Sequence, residues 1–181
     1  MKKAKRILSI LIVLVLCLCT ASPAFASNPS KYIGTLPSTA AYSSSQGFLD
    51  IMDSNEIIYT YYGPDSDDDD WIEIKYTGDY CDCIDIDAYF SSSEDCASFR
   101  FWNVIDFDSA DYREVLVVVN RLNAQYKWVK FVVDTSDYSV TAELDVLFPI
   151  GNSGEICLES LNQIVGISDR GYHELEPYIK K

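Results

Sequence analysis

Residues 108–148 constrain the fold more than any other part of this 181-residue sequence. Apolar side chains recur at helical spacing from Val115 to Tyr126, on a helix expected to begin beside Ala110. Two stretches of alternating apolar and polar residues follow, at 129–133 and 140–148, and a short polar turn separates them. Such alternation is typical of strands that bury one face. The segment therefore predicts a helix and a β-hairpin that share one hydrophobic core.

Similar patterns extend this unit into a single domain over residues 38–181. A partial apolar stripe between residues 38 and 52 predicts a first helix. Strands are expected next at 57–62, 71–76, 80–90 and 97–107. After the hairpin, a helix that begins near Ser153 is expected to give way, around Gly166 and Gly171, to a second helical piece. The predicted fold class is α+β: an antiparallel sheet of about five to six strands with helices packed on one face, in the order α-β-β-β-β-α-β-β-α(α).

The first 26 residues have the pattern of a secretory signal peptide. Four basic residues precede an apolar run over 7–19, and Ala24-Phe25-Ala26 supplies the small residues of a cleavage site after Ala26. The run is short for a membrane span, which needs about 20 apolar residues. We therefore expect a secreted or extracytoplasmic protein, with an uncleaved N-terminal anchor as the alternative. Residues 27–37 are polar and are expected to form a flexible start of the mature chain.

The acidic composition limits the classes of partner. The formal net charge is −14, and loss of the four basic residues within 1–26 lowers it by four, to −18. Binding to nucleic acid or to anionic lipid depends on basic side chains that displace counterions. We therefore expect no nucleic-acid partner, and no membrane association after signal cleavage.

An acidic run at residues 65–70 is the most conspicuous candidate for metal binding. Asp65, Asp67 and Asp69 match the first three ligand positions of a calcium loop. Asp70, however, stands where such a loop needs glycine, and Tyr76 stands where it needs a bidentate glutamate. A solvated hairpin tip is the favoured interpretation, weak calcium binding is the alternative, and no other cofactor is indicated.

Four cysteines follow the signal segment, and export would permit disulfides among them. Cys81 and Cys83 have neither the spacing of a redox pair nor a complete set of zinc ligands. Cys96 follows the next turn, which makes a disulfide between Cys96 and Cys81 or Cys83 one alternative and free thiols the other. Cys157 is expected to be a buried thiol on a helix.

Three stretches together, 115–123, 128–134 and 140–147, resemble the YbjN domain family. The resemblance lies in the order of helix and strands and in Asn120 and Asn123 near the helix end. It implies a fold similar to that of type III secretion chaperones, often dimeric and able to hold a peptide segment, with no catalytic residues to transfer. We expect the two asparagines to be structural, because asparagine can bond free backbone carbonyls near a helix end.

No catalytic motif is visible in the sequence. His173 is the single histidine, no phosphate-binding glycine loop occurs, and no spacing singles out a pair of carboxylates. The aromatic group Phe99, Phe101 and Trp102 suggests core packing rather than a stacking platform for sugars or bases. We therefore expect a protein that is not an enzyme.

The preferred hypothesis is an exported, noncatalytic binding module. It would hold a protein or peptide segment on the open face of its sheet or at a dimer interface, and a homodimer is a possible assembly. A calcium-tuned acidic secreted or cell-surface protein is the second hypothesis, and a hydrolase with an unrecognised site is the third.

Overall fold

The structure, a computed structural model, describes residues 39–181. The expected signal peptide (1–26) and flexible segment (27–37) lie outside the described residues. The helices and strands are α1 (Ser43–Ser54), β1 (Thr60–Pro64), β2 (Asp70–Tyr76), β3 (Ile84–Phe90), β4 (Cys96–Asp106), α2 (Tyr112–Gln125), β5 (Lys130–Asp134), β6 (Ser139–Leu147) and α3 (Gly154–Leu175). Short 3₁₀ turns, Ser109–Asp111 and Glu176–Tyr178, precede α2 and follow α3.

The six strands form one sheet in the order β1-β2-β3-β4-β6-β5, and every neighbouring pair is antiparallel. This confirms the predicted α+β class. The last hairpin joins the sheet through its second strand, since β6 pairs with β4 and β5 lies outside it. The two outer strands are therefore β1 and β5.

One face of the sheet is packed under the helices. Alternate residues of β2 and β3 are fully buried, whereas their neighbours in each strand are half-buried on the other face. Helix α3 packs across β3, β4 and β6, α2 packs on β5, and α1 packs against α3. Phe48 of α1 places its ring 5.3 Å from that of Phe90 and 5.9 Å from that of Phe99. The core is thus a single layer between the sheet and the helices.

Helix α3 is continuous, so the expected break between two helical pieces is wrong. The helix runs from Gly154 to Leu175 and passes through both internal glycines. A Cβ atom at Gly171 would lie 2.2 Å from Cζ of Phe131. Gly171 therefore allows the helix to pack closely on β5, and this packing outweighs the weak helical propensity of glycine.

The acidic run at 65–70 is only partly a solvated turn. Asp70 is the first residue of β2 and is fully buried. Its carboxylate accepts hydrogen bonds from the backbone N–H groups of Ala41 and Tyr42, at 3.0 and 3.2 Å, and from the hydroxyls of Tyr61 and Ser45. Asp70 thus anchors the start of α1 to the sheet, as a buried carboxylate with several donors can.

Candidate functional site

The three aspartates considered for calcium shape the turn between β1 and β2. The Asp65 side chain accepts hydrogen bonds from the backbone N–H groups of Asp67 and Asp69, at 2.8 and 3.1 Å. Partial burial, followed by the nearby charges of the other aspartates, raises the pKa of Asp69. Within residues 39–181, no group of three or more His, Cys, Asp or Glu side chains is arranged to hold a metal ion. Calcium binding here therefore rests on the sequence pattern alone.

All four cysteines of the described chain are free thiols, so of the two alternatives for Cys96 the structure shows the free thiol. Cys81 and Cys83 precede β3, whereas Cys96 begins β4 beside the far end of β3. The seven residues of β3 span about 20 Å, and a disulfide requires Cα atoms within about 7 Å. Cys157 is buried on α3 as expected, and burial raises the pKa of its thiol to about 12.

The segment that carries Cys81 is held against α3 by a carboxylate that sequence patterns did not reveal. Asp169 is buried and accepts hydrogen bonds from the backbone N–H groups of Asp79, Tyr80 and Cys81, at 2.9–3.0 Å. A Cβ atom at Gly78 would lie 2.1 Å from the same carboxylate. This cluster is therefore a structural clamp whose donors and acceptors are already paired.

Asn123 has a partner different from the one expected. Its side-chain amide donates to the carbonyl oxygen of Phe131, and its oxygen accepts from the Phe131 N–H, both at 2.8 Å. The asparagine thus binds the outer edge of β5 and not the carbonyls of its own helix end. Asn120 is exposed, and its side chain forms no hydrogen bond to another described residue. The sequence pattern therefore marked the right residue for a structural role but not its contact.

The open face of the sheet carries several aromatic side chains. Phe99 and Phe101 belong to the core, whereas Trp102 is half exposed on the open face. Tyr62 stacks on Trp71 with ring centroids 4.1 Å apart, and Trp71 lies parallel to Tyr89 at 6.5 Å. The three rings thus form a row across β1, β2 and β3, with Tyr62 half exposed at its outer end.

A concave surface lined by both apolar and polar residues lies at the end of β6. This surface, here called the β6 groove, has a volume of about 400 Å³. Leu144 and Val146 of β6 form its floor, and α3 forms one wall. The lining residues are Trp128, Leu144, Asp145, Val146, Leu147, Ile156, Glu159, Ser160 and Gln163.

Large apolar side chains are exposed at the β6 groove. Among the groove residues, Trp128 is 60 % exposed and Leu147 is 80 % exposed. Complete burial of a large apolar side chain contributes about 1.5–3 kcal/mol. Clustered exposure of this kind marks interaction surfaces more often than an isolated exposed residue does.

The groove exists because β5 is shorter than β6. Pairing between the two strands ends at Lys130 and Glu143, whereas β6 continues to Leu147 along β4. On the β5 side, the chain turns away through residues 126–129 to reach α2. One sequence pattern indicated this difference: the two predicted strands, at 129–133 and 140–148, have unequal lengths.

Comparison with known protein families finds no family model that matches this chain, and comparison with curated proteins finds no relative. Membership of the YbjN family therefore stays a prediction. Among the helices of residues 39–181, none combines the length and the apolar character that crossing a membrane requires.

Proposed function

We propose that this protein is an exported, noncatalytic module that binds a segment of another protein in the β6 groove. The observation that carries the proposal is the exposure of the large apolar side chains of Trp128 and Leu147 at this concave surface. An exposed apolar surface costs free energy in water, and a bound segment would remove that cost. The groove lies at the part of the β6 edge that β5 leaves unpaired beyond Glu143, which gives an incoming segment access to it.

The surroundings of the single histidine support a noncatalytic role. The ring of His173 is stacked on that of Tyr80 at 4.1 Å, and its Nδ1 lies 3.9 Å from a carboxylate oxygen of Glu176. Neither neighbour forms the nucleophile and base pair that acyl-transfer enzymes use. The strongly negative charge likewise favours a protein segment over nucleic acid.

Export is supported by the order of basic, apolar and small residues in the first 26 positions. The test is N-terminal sequencing of the protein recovered from outside the producing cells. The expected mature chain begins at Ser27. Retention in the cytoplasm with an intact N-terminus would contradict export without bearing on the groove.

Site-specific photo-cross-linking tests segment binding. A photoreactive residue would replace Leu147 in the mature chain, and a matched control would carry it at Val117, an exposed apolar position on α2. We expect protein adducts from position 147 and few from position 117 when native secreted material is added. Equal yields from both positions, or none from position 147, would contradict the proposal. Adducts between two copies of this chain would assign the groove to a homodimer.

A further inference from the structure

The end of β6 presents unpaired backbone groups beside the groove. The N–H of Phe148 donates to the carbonyl of Asp95 at 2.9 Å, on the β4 side of the strand. Backbone groups of successive strand residues point to opposite sides, so those of Asp145 and Leu147 point away from β4. On that side the pairing with β5 ends at Glu143, and no other backbone group of the described residues bonds to Asp145 or Leu147.

We infer that this free edge accepts an extended segment of a partner protein as an additional strand, with alternate side chains of the segment in the β6 groove. The inference rests on the proposed function and adds its binding mode and ligand chemistry. Two N–H groups and two carbonyls, those of Asp145 and Leu147, supply the pairing. An unpaired strand edge is a template for another extended chain, and backbone pairing then provides affinity while pockets select side chains.

The groove selects an extended segment over a helix. A helix satisfies its own backbone groups and would leave Asp145 and Leu147 unpaired beneath it. An added strand would pair with these groups and would direct every second side chain to the helix-covered side of the sheet. There it would meet Leu144 and Val146 on the floor and Ile156 on the wall. Aliphatic residues at every second position therefore fit this surface.

Charge complementarity adds basic residues to the expected segment. The groove lining contains two carboxylates, Asp145 and Glu159, and the neighbouring Lys127 places its Nζ 4.5 Å from the centroid of the Trp128 ring. Asp145 pairs with Arg100 at 2.7 Å. Glu159 is exposed, and within residues 39–181 no Lys, Arg or His lies within ion-pair distance of it. The segment is therefore an extended chain with alternating aliphatic residues and a Lys or Arg placed against Glu159.

Selection from a displayed library of random twelve-residue peptides on the mature chain tests this inference. We expect enriched peptides to carry aliphatic residues at every second position and a nearby Lys or Arg. Enrichment of peptides with helical spacing or with acidic residues would overturn the inference. The proposed function, binding of a protein segment, would still stand. Absence of any enriched peptide would count against the proposed function as well.

The variant Leu147→Pro tests the role of the strand edge. Proline lacks the N–H that faces the open edge, whereas the β4-directed N–H groups of Val146 and Phe148 remain. We expect an enriched peptide to bind this variant at least about tenfold more weakly, because a backbone hydrogen bond is lost and the ring obstructs the edge. The matched control Leu147→Ala keeps the N–H and separates the loss of the side chain from the loss of backbone pairing. Unchanged affinity for Leu147→Pro would overturn strand addition.

Methylated peptides provide a second measurement if Leu147→Pro does not fold. N-methylation of an enriched peptide at alternate residues removes the N–H groups on one edge of the peptide only. We expect one set of alternate positions to abolish binding to the unmodified protein and the other set to preserve it. Equal effects of both sets would contradict pairing along a single edge.

The charge preference has its own pair of variants. Glu159→Lys should weaken binding of a basic peptide about threefold, in line with an exposed ion pair. Glu155→Lys makes the same charge change one turn earlier on α3 and outside the groove lining, and it should have a smaller effect. Equal losses from both variants would indicate general electrostatic attraction and would overturn the assignment of the basic residue to Glu159.

Discussion

The outer edge of β5 and the free end of β6 are neighbours at one edge of the sheet. Their backbone groups differ in whether another part of the chain pairs with them. At β5, the Asn123 side chain pairs with both backbone groups of Phe131, at 2.8 Å each. At the end of β6, the backbone groups of Asp145 and Leu147 have no such partner among residues 39–181. The border is therefore closed by a side chain in one place and left free immediately beyond it.

Access to water explains the difference. Phe131 is 2 % exposed beneath α2 and α3, so its backbone groups would lie unpaired and largely away from water without Asn123. Leu147 projects into solvent, and water can pair with its backbone groups until a partner replaces it. A sheet edge that water reaches can thus remain available for binding, whereas a covered edge needs an internal partner.

Truncation of one apolar side chain at each of the two edges should give the largest difference in the free energy of unfolding. Phe131→Ala removes a buried ring that packs on Gly171, and we expect the free energy of unfolding to fall by about 4 kcal/mol. Leu147→Ala removes an exposed side chain and should change it by less than about 0.5 kcal/mol. Urea unfolding of both variants measures the contrast. Similar losses would show that the β6 end is part of the folded core.

Asn123→Ala tests the closed edge itself. It leaves the N–H and carbonyl of Phe131 without partners, and we expect a loss of about 2 kcal/mol of stability by urea unfolding. Asn120→Ala is the matched control, since this exposed asparagine on the same helix forms no side-chain hydrogen bond within the described chain. A loss at position 120 as large as that at position 123 would refute a special role for the β5 contact.

Asp87, a half-buried carboxylate on the open face, tests on a smaller scale whether burial of a polar group away from water lowers stability. Burial, with the nearby carboxylates Asp85 and Glu73, raises the pKa of Asp87, although Trp71 Nε1 donates to it at 2.8 Å. The folded protein is therefore penalised when this group is charged, and the penalty disappears as the pH falls through the raised pKa. Asp87→Asn should stabilise the protein by about 0.5 kcal/mol at pH 7 and by less near pH 4. Urea unfolding at both pH values decides, and a gain that grows toward pH 4 would contradict the sign.

Local periodicity predicted the kind and order of nearly every helix and strand. It failed where tertiary contacts decide the outcome. In the sequence, Gly171 predicts a helix end, but the helix continues because Phe131 packs against this glycine. Asp70 is part of an acidic run that predicts a solvated turn, but the backbone N–H groups just before α1 bind its carboxylate. The choice between a disulfide and a free thiol at Cys96 stayed open, because spacing along the sequence does not reveal that β3 separates Cys96 from Cys81 and Cys83.

The binding surface was harder to predict than the fold. The β6 groove depends on which strand of the last hairpin joins the sheet and on where its pairing stops. Both are matters of register between distant segments, and alternation within each strand carries no information about them. Asn123 was recognised as a structural residue, but its contact lies across the turn from α2 to β5 and could not be derived from helix-end chemistry.

Amide hydrogen exchange in the free mature protein tests the contrast between the two edges most directly. We expect the Phe131 amide, bonded to Asn123, to exchange about a thousandfold more slowly than the amide of Leu147, which faces water. The Asp145 amide should also exchange fast, while the β4-directed amide of Val146 between them stays protected. Protection of Leu147 and Asp145 equal to that of Val146 and Phe131 would show that the end of β6 is not a free edge, and would contradict the account.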